Sequence, residues 1–526
     1  MSVTKAQGRP GEEAPLAGPV PELRVEGISK AFGPVRANVD VSFSVRRATI
    51  HAVVGENGAG KTTLMRIIYG LYRPDAGTLE LGGQPVVFDS PRDALRKGVG
   101  MVHQHSLLVK EFTVVDNVLL TLSGGRRPGR REVAERLRRL SDANGLHVDP
   151  WTTVGTMSVG ARQRTEILAA LYHGARLMIL DEPTTVLTPQ EADRLFDVLA
   201  GLRAQGSTLL LVTHKLREVM RVSDEVTVLR RGRVVAQVPT SATDEQELVR
   251  MMIGKDVPLE VTRPQAQTAT AGSPRLEVRR LCVLDREGVA RVQDVSFDVY
   301  PGEIVAVTGV EGNGQTELTH ALMGLWRPSS GEVRLEGEPV TDWSVDRRRR
   351  AGIGYIPEDR MHLGINLLAS VRDNLTLGRH RDPPLARRGV RNLRAVDAFV
   401  ERALAEYQVV APSAQSPADT LSGGNLQKLL VAREVLRSPR LLIAAQPTQG
   451  VDVAAAHFIR STLVELARQG TSILLVSSDL AEVANLADRA VVLYNGRVSG
   501  TLVRAELSET AIGRLAMGLA REEASP

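Results

Sequence analysis

The feature that most constrains the fold of this 526-residue chain is an internal repeat. The segment GENGAGKTT at residues 55–63 recurs with changes as GVEGNGQTE at residues 309–317, an offset of 254 residues. Farther along, Ser158 matches Ser422 at an offset of 264 residues, so the second copy carries about ten additional residues between these segments. A repeat of this length indicates a duplicated domain and not a solenoid of short units. One fold is therefore expected to occur twice.

Composition divides the chain into two domains, a linker and two tails. Residues 1–20 are rich in Gly, Pro and charged residues and predict a disordered tail. The stretch VPLEVTRPQAQTATAGSP, residues 257–274, has no hydrophobic period and predicts a flexible linker. The expected organisation is a first domain at 21–256, a second domain at 275–519 and a C-terminal tail at 520–526.

Charge and cysteine content exclude several classes of protein. Lys and Arg number 66 against 61 Asp and Glu, and an aromatic fraction of 3% leaves few stacking surfaces for single-stranded nucleic acid. The strongest basic run, RRRR at 347–350, predicts a solvated helix face. The single cysteine, Cys282, excludes an intrachain disulfide and a cysteine-rich zinc site, and is typical of a reducing cytoplasm. No apolar run approaches the ~20 residues of a membrane helix, so action at a membrane is expected to need a partner.

Each copy has the pattern of an α/β core. In the first copy the apolar segment ATIHAVV precedes the glycine-rich loop at 55–60, and a helical pattern follows the loop. A further helix begins near Ser158, followed by two buried-strand patterns, RLMILDE and STLLLVTH. This order predicts a doubly wound α/β core with an inserted helical region.

The glycine-rich loop of the first copy matches the pattern of a phosphate-binding loop. In such a loop, backbone N–H groups converge on phosphate oxygens at a helix N-terminus. Lys61 is expected to reach the β- and γ-phosphates of a nucleotide, and Thr62 is expected to bind Mg²⁺. The predicted nucleotide-binding residues of the loop are Gly55, Glu56, Asn57, Gly58, Ala59, Gly60, Lys61, Thr62 and Thr63.

Two acidic residues end the strand pattern LMILDE. Asp181 is expected to bind Mg²⁺, directly or through water, and Glu182 is placed to accept a proton from an attacking water. An acidic pair by itself is equally typical of an exposed strand end. The phosphate-binding loop is what favours the catalytic interpretation.

Together these motifs resemble the ATP-binding-cassette (ABC) ATPases in a duplicated form. LSGGN at 421–425 resembles the signature motif of the family, and Phe32 in SKAFG resembles its adenine-stacking aromatic residue. Gln104 in MVHQHSLL resembles the Q-loop glutamine, and His214 in LVTHK resembles the switch histidine. The resemblance covers roughly residues 21–519 and implies two tandem P-loop NTPase domains of the ABC type, each with an inserted helical subdomain.

In that family two cassettes pack head to tail, so that each ATP lies between the phosphate-binding loop of one and the signature of the other. The resemblance implies a first site that joins the first-copy loop to LSGGN, with Asp452 as the D-loop aspartate. A Ser-Gly-Gly turn that opens a helix offers N–H donors to the γ-phosphate. The implied signature contacts are Ser422, Gly423, Gly424 and Asn425; the implied catalytic residues are Glu182, His214 and Gln104; the implied Mg²⁺ ligands are Thr62, Gln104 and Asp181.

The second composite site that the resemblance implies is degenerate. Gln446 stands where the first copy has its base, and a glutamine cannot accept the proton, a loss typically of about 10²- to 10⁴-fold. One hydrolytic and one non-hydrolytic site are therefore expected. The other departures are Gln315 for the lysine, Glu358 for the Q-loop glutamine, Ala445 for the aspartate, Ser478 for the histidine, Thr188 at the D-loop position, Asp285 at the stacking position, and MSVGA at 157–161 as the signature.

His103 and His105 flank Gln104 and raise the question of a metal site. No third ligand is near in sequence, so packing or positioning of the Q-loop is the favoured interpretation.

The resemblance also implies cofactors, partners and a location. ATP and Mg²⁺ are the implied cofactors. Two integral-membrane permease subunits are the implied partners, with a substrate-binding lipoprotein acting indirectly and no nucleic acid. The chain is expected to be peripheral, at the cytoplasmic face of the cell membrane. The segments AAQPTQGVD, IPEDR and HQH resemble the nucleoside branch of the simple-sugar importers, because the ribose and galactose branch usually keeps its second Asp-Glu pair.

Two other classes of ABC protein remain as alternatives. A soluble duplicated ATPase that acts on ribosomes tends to keep both sites intact and to join them by a long charged helix, whereas this linker is short. A DNA-repair ATPase of the cassette type needs zinc cysteines, and the chain has one cysteine.

Overall fold

The computed structural model divides into two compact units, residues 1–254 and 255–526. The side chains of residues 189 and 190 are outside the description. The residues that the structure describes are 20–33, 35–103, 106–122, 128–184, 187, 189–213, 215–254, 261, 263, 272–285, 287–379, 382–387 and 390–519.

The described part of the first unit contains two sheets and eight α-helices. Its strands are β1 Leu23–Phe32, β2 Val35–Val45, β3 Ile50–Val54, β4 Ala76–Leu81, β5 Gln84–Val86, β6 Val99–Val102, β7 Leu177–Asp181, β8 Thr208–Val212, β9 Glu225–Arg230 and β10 Arg233–Pro239. Its helices are α1 Lys61–Ile68, α2 Pro91–Arg96, α3 Val114–Thr121, α4 Arg130–Ala143, α5 Val159–Tyr172, α6 Pro189–Ala204, α7 Leu216–Val222 and α8 Glu245–Ile253.

The main sheet of the first unit positions the candidate site. Its order is β10-β9-β3-β8-β7-β6, and all neighbours are parallel except β9 and β10. Strands β3, β7 and β8 are buried along their whole length, which explains their apolar runs, because helices cover both faces of such a sheet. The carboxyl ends of β3 and β7 therefore lie at one edge, where open α/β sheets bind ligands.

A smaller antiparallel sheet, in the order β2-β1-β4-β5, completes the first unit. Its buried residues Val25 and Phe43 share an apolar cluster with Leu64 and Ile68 of α1 and with Val53 of β3. Helix α1 therefore joins the two sheets.

The second unit repeats this plan. Its sheets have the orders β12-β11-β14-β15 and β16-β19-β20-β13-β21-β22, and β17 pairs with β18. Its strands are β11 Leu276–Leu284, β12 Ala290–Val299, β13 Ile304–Thr308, β14 Ser330–Leu335, β15 Glu338–Pro339, β16 Ile353–Ile356, β17 Ala386–Arg387, β18 Val390–Arg391, β19 Leu441–Ala445, β20 Ser472–Val476, β21 Arg489–Tyr494 and β22 Arg497–Val503. Its helices are α9 Gln315–Met323, α10 Val345–Arg350, α11 Val371–Thr376, α12 Leu393–Glu406, α13 Gly423–Val435, α14 Val453–Arg468, α15 Leu480–Leu486 and α16 Glu509–Ala516, and Arg360–Gly364 forms a π-helical turn.

The duplication extends to single hydrogen bonds in the helical regions. The Asn117 side chain accepts from the Val109 N–H at 2.7 Å and donates to the Val109 carbonyl at 3.1 Å. Asn374 makes the same pair of bonds with Asn366, at 2.9 and 2.8 Å. Each asparagine thereby braces the loop that precedes its own helix.

Most of the additional residues of the second copy lie between two helices of the helical region. Residues 122–129 connect α3 to α4, whereas residues 377–392 connect α11 to α12 and include the β17–β18 pair.

The predicted solvated face at RRRR is found at Arg347 and Arg350, which are exposed, but the prediction is wrong for Arg348. Arg348 is fully buried, and its guanidinium donates to the carbonyls of Ala321 and Leu322 at the end of α9, at 3.1 and 2.5 Å. Burial lowers its pKa to about 10. Arg349 forms a paired contact with the buried Glu434 carboxylate. The prediction failed at Arg348 because charge alone does not show where unsatisfied helix carbonyls lie.

Part of the predicted flexible linker packs on the second unit. Val261 lies against its apolar core, and Arg263 is 7% exposed. The Arg263 guanidinium contacts Asp488 at 2.9 Å and donates to the Gly302 carbonyl at 2.7 Å. The prediction of a flexible linker is therefore wrong for Val261 and Arg263.

Among the helices that the structure describes, none combines the length and apolar character needed to cross a bilayer.

Candidate nucleotide-binding sites

The predicted phosphate-binding loop lies between β3 and α1, at the carboxyl edge of the main sheet. Gly60 caps α1 with a φ of 98°, and a Cβ atom at Gly60 would lie 2.3 Å from the Ala37 carbonyl oxygen. A side chain does not fit there without displacing backbone, so this position requires glycine. The loop thus directs the first N–H groups of α1 into the space above β3, the arrangement that receives an anion.

Lys61 is buried and folds back across the loop. Its Nζ donates to the carbonyls of Gly55 at 2.6 Å and Glu56 at 3.0 Å. The ammonium group therefore lies at the loop backbone, and Thr62, next on α1, is exposed.

Asp181 ends β7 and is 6% exposed. Burial, and after it the neighbouring Glu182 carboxylate, raise its pKa, while Lys61 and Arg66 act in the opposite direction, and the net pKa is about 6. A carboxylate whose negative charge is costly in this state is one that a cation would stabilise.

Glu182 has an unusual backbone. Its φ is 47°, in the left-handed region, and its N–H donates to the Val212 carbonyl at 2.8 Å. The matching Gln446 has a φ of 46° and donates to Val476 at 2.7 Å. Non-glycine residues held in this region are concentrated at functional sites.

The donor set of the first unit fits Mg²⁺. This ion prefers oxygen ligands and is usually held by one or two protein groups together with substrate phosphates. The Thr62 hydroxyl and the Asp181 carboxylate are such donors. No group of three or more His, Cys, Asp or Glu side chains suited to a metal occurs in the described part of the chain.

Phe32 ends β1 and is 44% exposed. Its ring meets Tyr72 edge to face, with the centroids 5.3 Å apart, and Lys30 Nζ lies 5.7 Å from its centroid. The ring is thus braced from one side and offers surface for another flat ring.

Several sequence-predicted residues lie outside the described part of the chain: Gln104, His105, Thr188 and His214. His103, which precedes Gln104, is described, and its ring centroid lies 5.8 Å from that of Tyr69. Burial lowers the His103 pKa, and the Arg66 charge lowers it further.

A buried carboxylate that the sequence analysis missed lies beside the Q-loop. Glu166 of α5 accepts from the Leu107 N–H at 3.0 Å, and burial raises its pKa despite hydrogen bonds that favour ionisation. Its charge within the apolar helix segment TEILAALY was the signal in the sequence.

The sequence analysis also missed two matching glutamines, one in each unit. Each connects its signature helix to the residue that follows the strand end of Asp181-Glu182 or of Ala445-Gln446. Gln163 of α5 donates to the Pro183 carbonyl at 2.5 Å. Gln427 of α13 donates to the Pro447 carbonyl at 2.8 Å. Both amides fix the residue that follows Glu182 or Gln446.

In the second unit the LSGGN turn opens α13. Ser422 is the N-cap and accepts from the Asn425 N–H at 3.4 Å, while the Asn425 amide donates back to Ser422 at 3.0 Å. A Cβ atom at Gly424 would lie 2.5 Å from Asp452 Oδ2. Asp452 also caps α14 by accepting from the Ala455 N–H at 2.7 Å. The predicted signature and D-loop aspartate are therefore in contact within one unit.

In the second unit's own loop, a neutral amide takes the place of the first unit's cation. Gln315 Nε2 donates to the Val310 carbonyl at 3.1 Å. Thr316, which matches Thr62, donates through Oγ1 to the Glu358 carboxylate at 3.0 Å. The position of Phe32 is held by Asp285, which accepts from Arg291 Nε at 2.7 Å.

The first unit's MSVGA turn also caps a helix. Ser158 accepts from the Ala161 N–H at 3.3 Å and opens α5. A Cβ atom at Gly160 would lie 3.0 Å from Glu191 Oε1.

Comparison with known proteins gives a family match in both halves. The model of a family described as "ABC transporter" matches residues 39–185 and 292–449.

Curated relatives match along almost the whole chain. The nucleoside import ATP-binding protein NupA of Lactococcus lactis subsp. cremoris (strain MG1363) is 36% identical over 498 residues, 94% of this chain and 98% of the relative. The guanosine import ATP-binding protein NupO of Bacillus subtilis (strain 168) is 38% identical over 508 residues, 95% of this chain and 98% of the relative. The glucose import ATP-binding protein TsgD13 of Haloferax volcanii is 39% identical over 510 residues, 91% of this chain and 92% of the relative.

Proposed function

The chain belongs to the ABC transporter family and is an ATPase with two cassettes; we propose that it energises a membrane importer by hydrolysing ATP at one of two composite sites. The observation that carries the single-site part of the proposal is the contrast between the two loops. The Lys61 ammonium bonds to the Glu56 carbonyl and the Gln315 amide bonds to the matching Val310 carbonyl, so the loops differ in charge, because only the first carries a cation. They differ also at the next residue, since Glu358 holds Thr316 in the second loop.

In the first site the residues divide the work of hydrolysis. Lys61 and the N–H groups of the loop bind the phosphates, and Phe32 stacks on the adenine ring. Glu182 takes the proton of the attacking water, and Gln104 and His214 hold the water and the γ-phosphate in place.

Thr62, Asp181 and Gln104 would hold Mg²⁺ in the first site. When bound, the ion neutralises charge that develops on the phosphate oxygens. The Asp181 carboxylate, whose pKa is raised to about 6, supplies negative charge for the ion at neutral pH.

The second unit completes the first site in this proposal. Ser422, Gly423, Gly424 and Asn425 open α13 and present N–H donors to the γ-phosphate, and Asp452 supports their turn. The proposed domain limits are those expected from composition, with a first cassette at 21–256 and a second at 275–519.

The partners are two integral-membrane permease subunits, since a chain of this family supplies the ATPase and not the pathway. A substrate-binding lipoprotein would act through the permeases, and the ATPase would be peripheral at the cytoplasmic face of the membrane. Nucleosides are the first cargo to test, because two of the relatives described above are named for nucleoside or guanosine import. The third, named for glucose, makes simple sugars the second.

Transport by the assembled system tests this function. The chain would be co-expressed with multi-span permeases encoded in neighbouring reading frames, and ATP-driven uptake of labelled guanosine, ribose and glucose would be measured in inverted and right-side-out vesicles. We expect uptake of one of these cargoes with the wild-type chain and no uptake of it with the Glu182→Gln chain. ATP hydrolysis that is unaffected by the permeases, together with sedimentation away from the membrane, would contradict the proposal.

A further inference from the structure

We propose that Arg360 is a positioning residue for ATP hydrolysis, which holds the D-loop of the second unit against its signature turn. The inference rests on the proposed composite site, in which this signature faces the first unit's nucleotide. Arg360 is part of IPEDR, the segment that replaces the Q-loop in the second unit.

The backbone of Arg360 is fixed at the start of the π-helical turn. Asp359 caps this turn by accepting from the N–H groups of Met361 and His362 at 3.1 and 3.0 Å. The same carboxylate contacts His362 Nδ1 at 2.8 Å. Asp359 is therefore engaged elsewhere, and no salt bridge to Arg360 occurs among the described residues.

The guanidinium bridges to the D-loop. Arg360 Nη1 donates to the Gln449 carbonyl at 2.9 Å, and Nη2 donates to the Gly450 carbonyl at 3.3 Å. These two residues stand just before Asp452, which caps α14. The planar fork of arginine suits two adjacent acceptors, which the single ammonium of lysine cannot span in the same way.

The same guanidinium lies against the signature turn. A Cβ atom at Gly423 would lie 3.3 Å from Arg360 Nη2, so the guanidinium occupies the space beside the turn that a side chain at this position would need. On the other side of the turn, Gly424 packs against the Asp452 carboxylate. The turn is thus held between Arg360 and Asp452, and both of these residues are fixed to the D-loop.

The electrostatic cost of this arrangement supports a functional role. A positive charge beside a helix N-terminus opposes the helix dipole, here that of α13. Burial lowers the pKa of Arg360, which shows that the environment penalises its charge. A phosphate received by the signature turn would offset that penalty.

The first unit lacks this device. The offset of 254 residues places Ser106 at the position of Arg360, and the Ser106 side chain bonds to Glu166 of α5. Arg360 thus occurs in the copy whose signature motif is intact. An arginine that the cassette fold itself needed would be expected in both copies. Its presence in one copy alone is expected of a residue that acts at the hydrolytic site.

Steady-state ATPase kinetics of Arg360→Lys and Arg360→Gln in the full chain, with permeases, test the inference. Both variants are expected to lose about 10- to 100-fold in kcat, the usual effect of a misplaced group, with KM for ATP within about threefold of wild type. Arg379→Gln is the matched control, since the Arg379 guanidinium also donates to a carbonyl, that of Leu436, at 3.2 Å, but lies on a different loop. It is expected to keep its kcat within about twofold, because its hydrogen bonds to Asp382 and Leu436 involve neither the signature turn nor the D-loop.

The outcomes separate this inference from the proposed function. If Arg360→Lys keeps the wild-type kcat while Ser422→Arg is inactive, the positioning role of Arg360 is wrong and the composite site stands. If Ser422→Arg is fully active, the composite site itself fails. Equal losses of kcat in Arg360→Gln and Arg379→Gln, with equal losses of thermal stability, would reduce Arg360 to a structural residue.

Discussion

Gln446 and Ser478 are hydrogen-bonded to each other in the second unit, with Gln446 Nε2 3.1 Å from Ser478 Oγ and the Ser478 N–H 3.2 Å from Gln446 Oε1. They stand at the positions of Glu182 and His214 in the first copy. An amide and a hydroxyl that satisfy each other leave these two positions without a group that takes up a proton near neutral pH. Hydrolysis is therefore assigned to the first site alone.

Replacing the proposed base should stop turnover without preventing binding. Glu182→Gln is expected to lower the ATPase kcat by about 100-fold or more, because the amide cannot accept the proton of the attacking water. Binding of a fluorescent ATP analogue should stay within about threefold, since Lys61 and the loop are unchanged. The matched variant in the other copy, Gln446→Ala, is expected to keep its kcat. A residual rate in Glu182→Gln above about a tenth of wild type would rule out the assigned base.

The two signature serines should differ in importance. Ser422→Arg places a bulky side chain in the turn that opens α13 and is expected to abolish most ATPase activity. Ser158→Arg makes the same change at the N-cap of α5, which faces the degenerate site in this account, and is expected to cost much less. Activity is compared after circular dichroism shows that both variants are folded. Equal losses would contradict the head-to-tail assignment.

The buried carboxylate of Glu434 should contribute stability that depends on pH. Burial alone would raise its pKa, but the charges of Arg349 and Arg433 and the Tyr355 N–H outweigh burial, and the net pKa is lowered from 4.5. A carboxyl group whose pKa is lowered by folding stabilises the folded state at pH values above its unfolded-state pKa. This stabilisation is lost as the pH falls through the folded-state pKa. Glu434→Gln is therefore expected to cost about 3 kcal/mol at pH 7, and less below pH 4.5.

Urea unfolding measures this difference, followed by tryptophan fluorescence in a Trp151→Phe background so that the signal comes from Trp326 and Trp343 of the second unit. Glu338→Gln is the control, because the Glu338 pair with Arg347 is exposed and such pairs contribute about 0–1 kcal/mol. A cost for Glu434→Gln that is the same at pH 7 and at pH 4 would show that the ionised carboxylate is not the source of stability.

The sequence predicted the features that local patterns determine. The repeat, the strand–loop–helix order around Lys61 and the strand end at Asp181 depend on apolar periodicity and on glycines at fixed spacing, and the structure contains them. The substitutions at the motif positions of the second copy could be identified from the sequence for the same reason, since each lies at a fixed offset from a first-copy motif.

The features that the sequence did not predict depend on distant partners. Arg348 is buried because the carbonyls at the end of α9, more than 25 residues earlier, need donors. Arg263 in the linker is held by Asp488, and Glu166 is held by the segment after Gln104. The sequence shows that a residue is charged and prefers water. It does not show which distant group replaces the water as its hydrogen-bonding or ionic partner, because the tertiary fold determines that partner.

The second site lacks several functions at once, and a double variant shows whether restoring one of them is enough for activity. Gln315→Lys restores the cation of the loop, but Thr316 would still be held by Glu358, and positions 445 and 446 would still carry Ala and Gln. In the Glu182→Gln background, where the first site is inactive, adding Gln315→Lys is expected to leave the steady-state ATPase rate at background. A tighter apparent affinity for ATP would agree with the account, since a lysine adds a charge-assisted contact to phosphate. ATPase activity that rises well above the Glu182→Gln level would show that the second site is one residue from competence, and would contradict the account.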